Sequence, residues 1–227
     1  MKRTVFRCSG VQVFGSDGSV GSDVAAPDTE TMNTRTPEHL NTEHLNTEHL
    51  NTPAALPVDH LEPVEAWGMT ERALSYVYRP STADGVREVF ETARRHRRTV
   101  ALRGAGRSYG DAALNRENVV LDLTRMNRVL DWEPGTGVIR VEPGVTIRQL
   151  WQYAIEEGWW PPVVPGTMFA TLGGCAAMNV HGKNNYRAGP IGDHLLGIEL
   201  LLPSGELIAC DREQNGDLFF AAIGGFG

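Results

Sequence analysis

The sequence predicts an α+β fold with mixed sheets. Three observations carry this reading. From about Trp67 onward, a segment of helical period alternates with short apolar strands, glycine-rich turns punctuate them, and the run ends in a hairpin, Leu195–Leu202 and Glu206–Cys210, around Pro203-Ser204-Gly205. With 227 residues, 41% of them apolar and 25 of them glycine, the chain can build one sizeable core and carry a tail.

Residues 1–64 read as a disordered low-complexity tail, and residues 65–227 as the folded part. Residues 1–57 are rich in Ser, Thr, Asp, Asn, Gly and Pro, and repeat Glu-His-Leu-Asn-Thr at 38–42, 43–47 and 48–52. Such a composition buries too little apolar surface to offset the entropy of ordering. His39, His44 and His49 recur every five residues, a step of about 140° around a helix, so they share no face and no metal site is expected. A slipped duplication or an early start codon explains the repeat more simply.

In the folded part, Pro80-Ser81-Thr82 is a capping signal for a helix whose apolar positions Val86, Val89, Phe90 and Ala93 follow helical spacing, and which ends in Arg94, Arg95, Arg97 and Arg98. Next come a strand at Thr99–Leu102, a glycine-rich loop and a strand at Val119–Leu123. After the turn Glu133-Pro134-Gly135, an alternating strand at Gly137–Val141 leads to a helix near Thr146–Glu157. Trp159–Pro162 interrupts the chain, and Thr171–Met178 is rich in small residues.

Charge and cysteine content exclude several classes. Of the net charge of −7, residues 1–65 contribute 10 acidic and 4 basic side chains, leaving 18 acidic against 17 basic in the remainder. The folded part is nearly neutral, which argues against nucleic acid as a partner, and the arginine run reads as cations at a helix C-terminus. Cys8, Cys175 and Cys210 have neither metal-type spacing nor a disulfide framework. No transmembrane segment or signal peptide is legible, so a cytoplasmic location is expected.

Two segments carry chemistry. The first is Arg103-Gly104-Ala105-Gly106-Arg107-Ser108-Tyr109-Gly110-Asp111, directly after a strand, where glycines let successive N–H groups converge on a phosphate and Ser108 adds a hydroxyl donor. Its Gly104-x-Gly106-x-x-x-Gly110 spacing misses the dinucleotide fingerprint, and taken alone an ordinary tight turn would explain it equally well. The second runs from Pro165-Gly166-Thr167 to Asn185. Thr171 could cap a helix whose N-terminus faces an anion, Gly173, Gly174, Ala176 and Ala177 leave room for a bulky planar ligand, and His181 and Lys183 project from the turn that follows.

Together the loop Arg103–Asp111, Val141-Glu-Pro-Gly-Val145, Pro165-Gly-Thr167, Gly173-Gly174 and Val180-His-Gly-Lys-Asn184 resemble the FAD-binding oxidoreductases of the vanillyl-alcohol oxidase type. The resemblance runs in order from about Ala66 to Gly227, through Leu218-Phe219-Phe220 and Gly224-Gly225. It implies a PCMH-type FAD-binding domain with two small mixed sheets and flanking helices. It further implies a flavin held by Leu102–Ala112, Gly166, Thr171, Leu172, Gly173, Gly174, Met178, Asn179, Val180 and His181. His181, Lys183 and Tyr109 would serve the substrate side, where an alcohol or sugar hydroxyl is oxidised by hydride transfer. Some members tether FAD through a histidine of the first loop. Arg107-Ser108 stands there instead, which implies non-covalent FAD.

Members of the family continue beyond the equivalent of Gly224-Gly225 with the rest of the flavin domain and a substrate domain. The chain is therefore expected to be incomplete, its terminal helix exposing Leu218, Phe219, Phe220 and Ile223. Asn185-Tyr186 replaces two histidines found in a sugar-oxidising member, which leaves secondary alcohols, polyols, sugars and sugar acids open as small-molecule substrates. The alternative function is a non-catalytic flavin-binding fragment or remnant that needs a C-terminal partner chain. A Rossmann dehydrogenase is disfavoured by the loop spacing.

Overall fold

The computed structural model describes residues 2–3, 5–9 and 55–226. In chain order its strands are β1 (Lys2–Arg3), β2 (Val5–Ser9), β3 (Leu61–Glu65), β4 (Arg72–Tyr78), β5 (Val100–Arg103), β6 (Val119–Asp122), β7 (Val129–Glu133), β8 (Val138–Val141), β9 (Trp159–Trp160), β10 (Leu195–Leu201) and β11 (Leu207–Cys210). The helices are α1 (Ala83–Arg95), α2 (Ile147–Ala154), α3 (Leu172–Ala177), α4 (Asn185–Ala188) and α5 (Gly216–Ala222). The expected α+β class with two small mixed sheets forms, with β1 and β9 as an additional two-stranded parallel pair.

The first sheet has the order β3-β4-β6-β5, with β3 antiparallel to β4 and the other pairs parallel. Helix α1 covers it. Thr82 Oγ1 accepts from Gly85 N at 3.1 Å, the expected cap, and Val86, Val89, Phe90 and Ala93 pack with Val119, Leu121 and Leu123. Leu56 and Leu201 close the same core.

The second sheet has the order β11-β10-β2-β8-β7, antiparallel at both edges and parallel about β2. Its core gathers Ile139, Val141, Leu150, Leu172, Cys175, Ile198, Leu200 and Phe219. Helix α2 opens with the capping box of Thr146 and Gln149, and its 3₁₀ continuation stops at Gly158, whose φ of 77° suits glycine.

Several expectations change. The chain folds ahead of Glu65, because β3 begins at Leu61 and Leu56 is buried. Within the expected tail, β1 pairs with β9 and β2 lies between β8 and β10. The histidine repeat and the side chain of Cys8 lie outside the described residues. Trp159–Trp160, read as an interruption, is itself a strand that pairs with β1. Among the described residues no helix is long and apolar enough to cross a membrane, and no cluster of three metal-ligating side chains occurs.

Helix α5 also differs from expectation. Phe219 is fully buried and Ala222 joins it in the second core, while Leu218 and Ile223 pack partly against that core and Phe220 is 55% exposed. The face is therefore mostly covered, with α5 packed beside β11. Phe219→Ala is expected to cost about 3–5 kcal/mol of unfolding free energy, and Phe220→Ala about 0.5 kcal/mol or less, measured by denaturant titration. Similar costs for both would show that α5 is not docked as described.

Candidate functional site

The two chemistry-bearing segments, well separated in the sequence, meet in one cleft of about 490 Å³. The loop after β5 forms one wall: Arg103, Gly104, Ala105, Gly106, Arg107, Ser108 and Tyr109. Gly166, Thr171, Gly173, Gly174, Met178, Val180 and His181 form the other. Of the expected residues, Gly110, Asp111, Leu172, Asn179 and Lys183 do not line it. Leu172 is buried in the second core, and the Asn179 side chain accepts from Gly192 N at 3.0 Å. Lys183 is exposed beyond Gly182, where the chain passes so close to the Val164 carbonyl that a Cβ would lie 2.3 Å from it.

Glycine is a steric requirement where the walls touch. A Cβ on Gly104 would sit 2.1 Å from Thr171 Oγ1. Gly106, with φ at 63°, wraps the loop around the Arg103 guanidinium, which lies within 2.2 Å of where its Cβ would be. Arg103 donates to the carbonyls of Ala113 (3.3 Å) and Glu65 (2.9 Å), so it staples the loop to the first sheet rather than offering its donors to the cleft. Burial pulls its pKa down, and the Asp122 carboxylate opposes that shift.

The expectation that the α3 N-terminus faces an anion needs correction. The Leu172 amide donates to Val145 O (2.7 Å) and the Gly173 amide to Pro143 O (2.8 Å), so the first two donors of this helix are already satisfied. Thr171 occupies the cap position without a side-chain cap bond. What the Val141–Val145 segment does is hold α3 in place.

Unsatisfied donors lie on the opposite wall. Among the described residues, the backbone amides of Gly104, Ala105, Gly106, Arg107 and Ser108 donate to no protein acceptor. Arg107 forms no hydrogen bond or ion pair there, and its Nε is buried without a partner. Among the described residues no carboxylate side chain lines the cleft, and its remaining surface is largely small or apolar: Ala112, Pro143, Pro165, Ala170, Gly173, Gly174, Cys175 and Ala177. This suits a ligand with an anionic middle and a bulky flat end.

The sequence gives no separate role to Trp67, Phe169 and Asn184. Trp67 lines the cleft, and Phe169 stacks on Arg107 at its side. Asn184 Nδ2 donates to Pro162 O at 2.8 Å, tying the turn after His181 to the segment before Pro165. No periodicity marks these residues. For Asn184, its place in the polar run after His181 was the available signal.

The Gly104–Thr171 contact is expected to appear in a mutant cycle. Gly104→Ala should cost about 1–3 kcal/mol of stability by overpacking. In Thr171→Ala the added methyl has more room, so the double variant should lose less than the sum of the singles. Strict additivity in urea denaturation would contradict the contact.

The FAD binding domain model matches residues 74–211. Over 165 residues the chain is 39% identical to decaprenylphosphoryl-β-D-ribose oxidase of Mycolicibacterium smegmatis, covering 71% of this chain and 35% of that protein. An uncharacterized FAD-linked oxidoreductase of Mycobacterium tuberculosis is 28% identical over 68% of this chain and 34% of its own length. The chain thus spans about a third of these relatives. The fold is shared with 6-hydroxy-D-nicotine oxidase of Arthrobacter nicotinovorans at a TM-score of 0.63 and 22% identity, over 72% of this chain and 38% of that one. FAD is the cofactor that this family binds, and the cleft's chemistry fits it: the chain belongs to the FAD binding domain family.

Proposed function

We propose that the chain is the FAD-holding part of an oxidoreductase that oxidises an alcohol or sugar hydroxyl. One observation carries this: the unpartnered amides of Gly104–Ser108 and the Arg107 guanidinium border a cleft that, among the described residues, no carboxylate side chain lines. The loop amides and Arg107 would hold the diphosphate, with Ser108 as a further donor. Gly174, at which a Cβ would meet only Thr171 Oγ1 at 3.1 Å, would leave space for the flavin ring beside Gly166, Gly173, Met178 and Val180. With no histidine in the loop, FAD binding would be non-covalent.

Bound FAD supplies a hydride acceptor. The chain's own residues do the rest. His181, the imidazole on the cleft wall, would line the substrate side of the flavin, and Tyr109, largely exposed at the mouth, would position or shield substrate. Lys183, two residues past His181, is proposed for the substrate side outside the cleft. The substrate class stays as broad as secondary alcohols, polyols, sugars and sugar acids.

A second reading is that the chain binds FAD but turns over only with a complementing partner chain. A visible absorption spectrum after incubation with FAD and desalting, followed by anaerobic addition of candidate alcohols, separates the two. A retained flavin band that substrates bleach supports the first reading, and a band that bleaches only after a complementing chain is added supports the second. A colourless protein contradicts both. Gly174→Val is expected to abolish retention, and His181→Ala to keep the band while impairing bleaching. Equal loss of FAD in both variants would contradict this division of roles.

A further inference from the structure

We propose that Trp67 and Phe169 are positioning residues that hold Arg107 as the diphosphate-facing cation of the cleft; the inference rests on the reading of the cleft as an FAD site. The Arg107 guanidinium carbon lies 4.2 Å from the Trp67 ring centroid and 5.6 Å from that of Phe169. Both lie within the range of cation–π attraction. The two rings come from segments far apart in the sequence. Trp67 follows β3 and is tied to the loop by its amide, which donates to Ser108 O at 3.0 Å. Phe169 belongs to the segment held by α2, where the Arg148 amide donates to Met168 O and the Ile147 amide to Ala170 O. Arg148 itself lies 5.9 Å from the far ring, so Phe169 is shared between two cations.

The stack matters because of what lies beside it. Arg107 also lines a second hollow of about 780 Å³, whose walls include the carboxylates of Glu62, Glu65 and Asp122. A long flexible cation that shares a hollow with acidic residues can swing to pair with one of them, and its attraction for an incoming anion would then be lost. Glu62 and Asp122 are occupied by Arg79, at 2.7 and 3.3 Å. The aromatic faces attract Arg107 without hydrogen-bonding it, so its N–H groups stay available to phosphate oxygens. Trp67 and Phe169 are 44% and 43% exposed, so their faces can be altered without emptying a core.

The test is FAD affinity of the full chain, read by flavin fluorescence, for Trp67→Leu, Phe169→Leu, Trp67→Phe and Arg107→Gln, with the thermal midpoint of each cofactor-free variant recorded. Trp67→Leu is expected to weaken FAD binding about ten-fold, the scale of one well-placed cation–π contact, with Phe169→Leu weakening it less. Trp67→Phe should restore most of the affinity, and Trp67→Leu should have little further effect once Arg107→Gln is present. Thermal midpoints should stay close to that of the unaltered chain. Unchanged affinity in Trp67→Leu, or an equal loss with and without Arg107→Gln, would overturn the clamp while leaving the FAD site standing. Failure of the unaltered chain to bind FAD would overturn the site and the clamp with it.

Discussion

The approach of Gly104 to Thr171 is the constraint on which the site depends. The loop after β5 belongs to the first sheet, and the segment leading into α3 is anchored on the second. With any side chain at Gly104 in conflict with Thr171 Oγ1, the two walls could not close to their present separation. Gly173 repeats the requirement one layer back, where a Cβ would lie 2.7 Å from Pro143 Cβ. The cleft therefore follows from the fit of glycine backbone against neighbouring side chains, with the Gly104–Thr171 approach joining two half-structures that each have their own core.

The walls divide the chemistry between them. The loop wall offers polar donors that no protein group uses, and the α3 wall offers room and apolar surface with its own amides already paired. Unpaired donors cost free energy when buried, so a wall of this kind is stable where water or an anionic ligand meets it. Arg103 and Arg107 illustrate the same division within one loop. Arg103 is consumed in holding the backbone, whereas Arg107 is held by rings and keeps its donors.

Much of this was legible in the sequence where the signal is local. The buried face of α1 was given by the spacing of Val86, Val89, Phe90 and Ala93, and Thr82 by its capping chemistry. The two glycine-bearing segments were marked by composition, and His181 by the polar turn it sits on. What was illegible depends on distant partners. A two-residue strand such as β9 exists because β1 lies beside it, and the pairing of the Leu172 and Gly173 amides depends on carbonyls that only the fold brings close. Strand β4 was missed because its buried positions are Ala73, Ser75 and Val77, with Leu74 facing out, so its apolar pattern points the wrong way. Isolated aromatics such as Trp67 and Phe169 carry no period at all.

Amide hydrogen exchange of the chain with and without FAD tests the central claim most directly, because it reports which backbone donors the cofactor engages. The expected result is new protection at 104–108, with weaker effects at 174–181 and little change at Leu172 and Gly173, whose amides are already bonded. FAD binding with no protection at 104–108, or protection confined to the hollow around Glu62 and Arg79, would contradict the account.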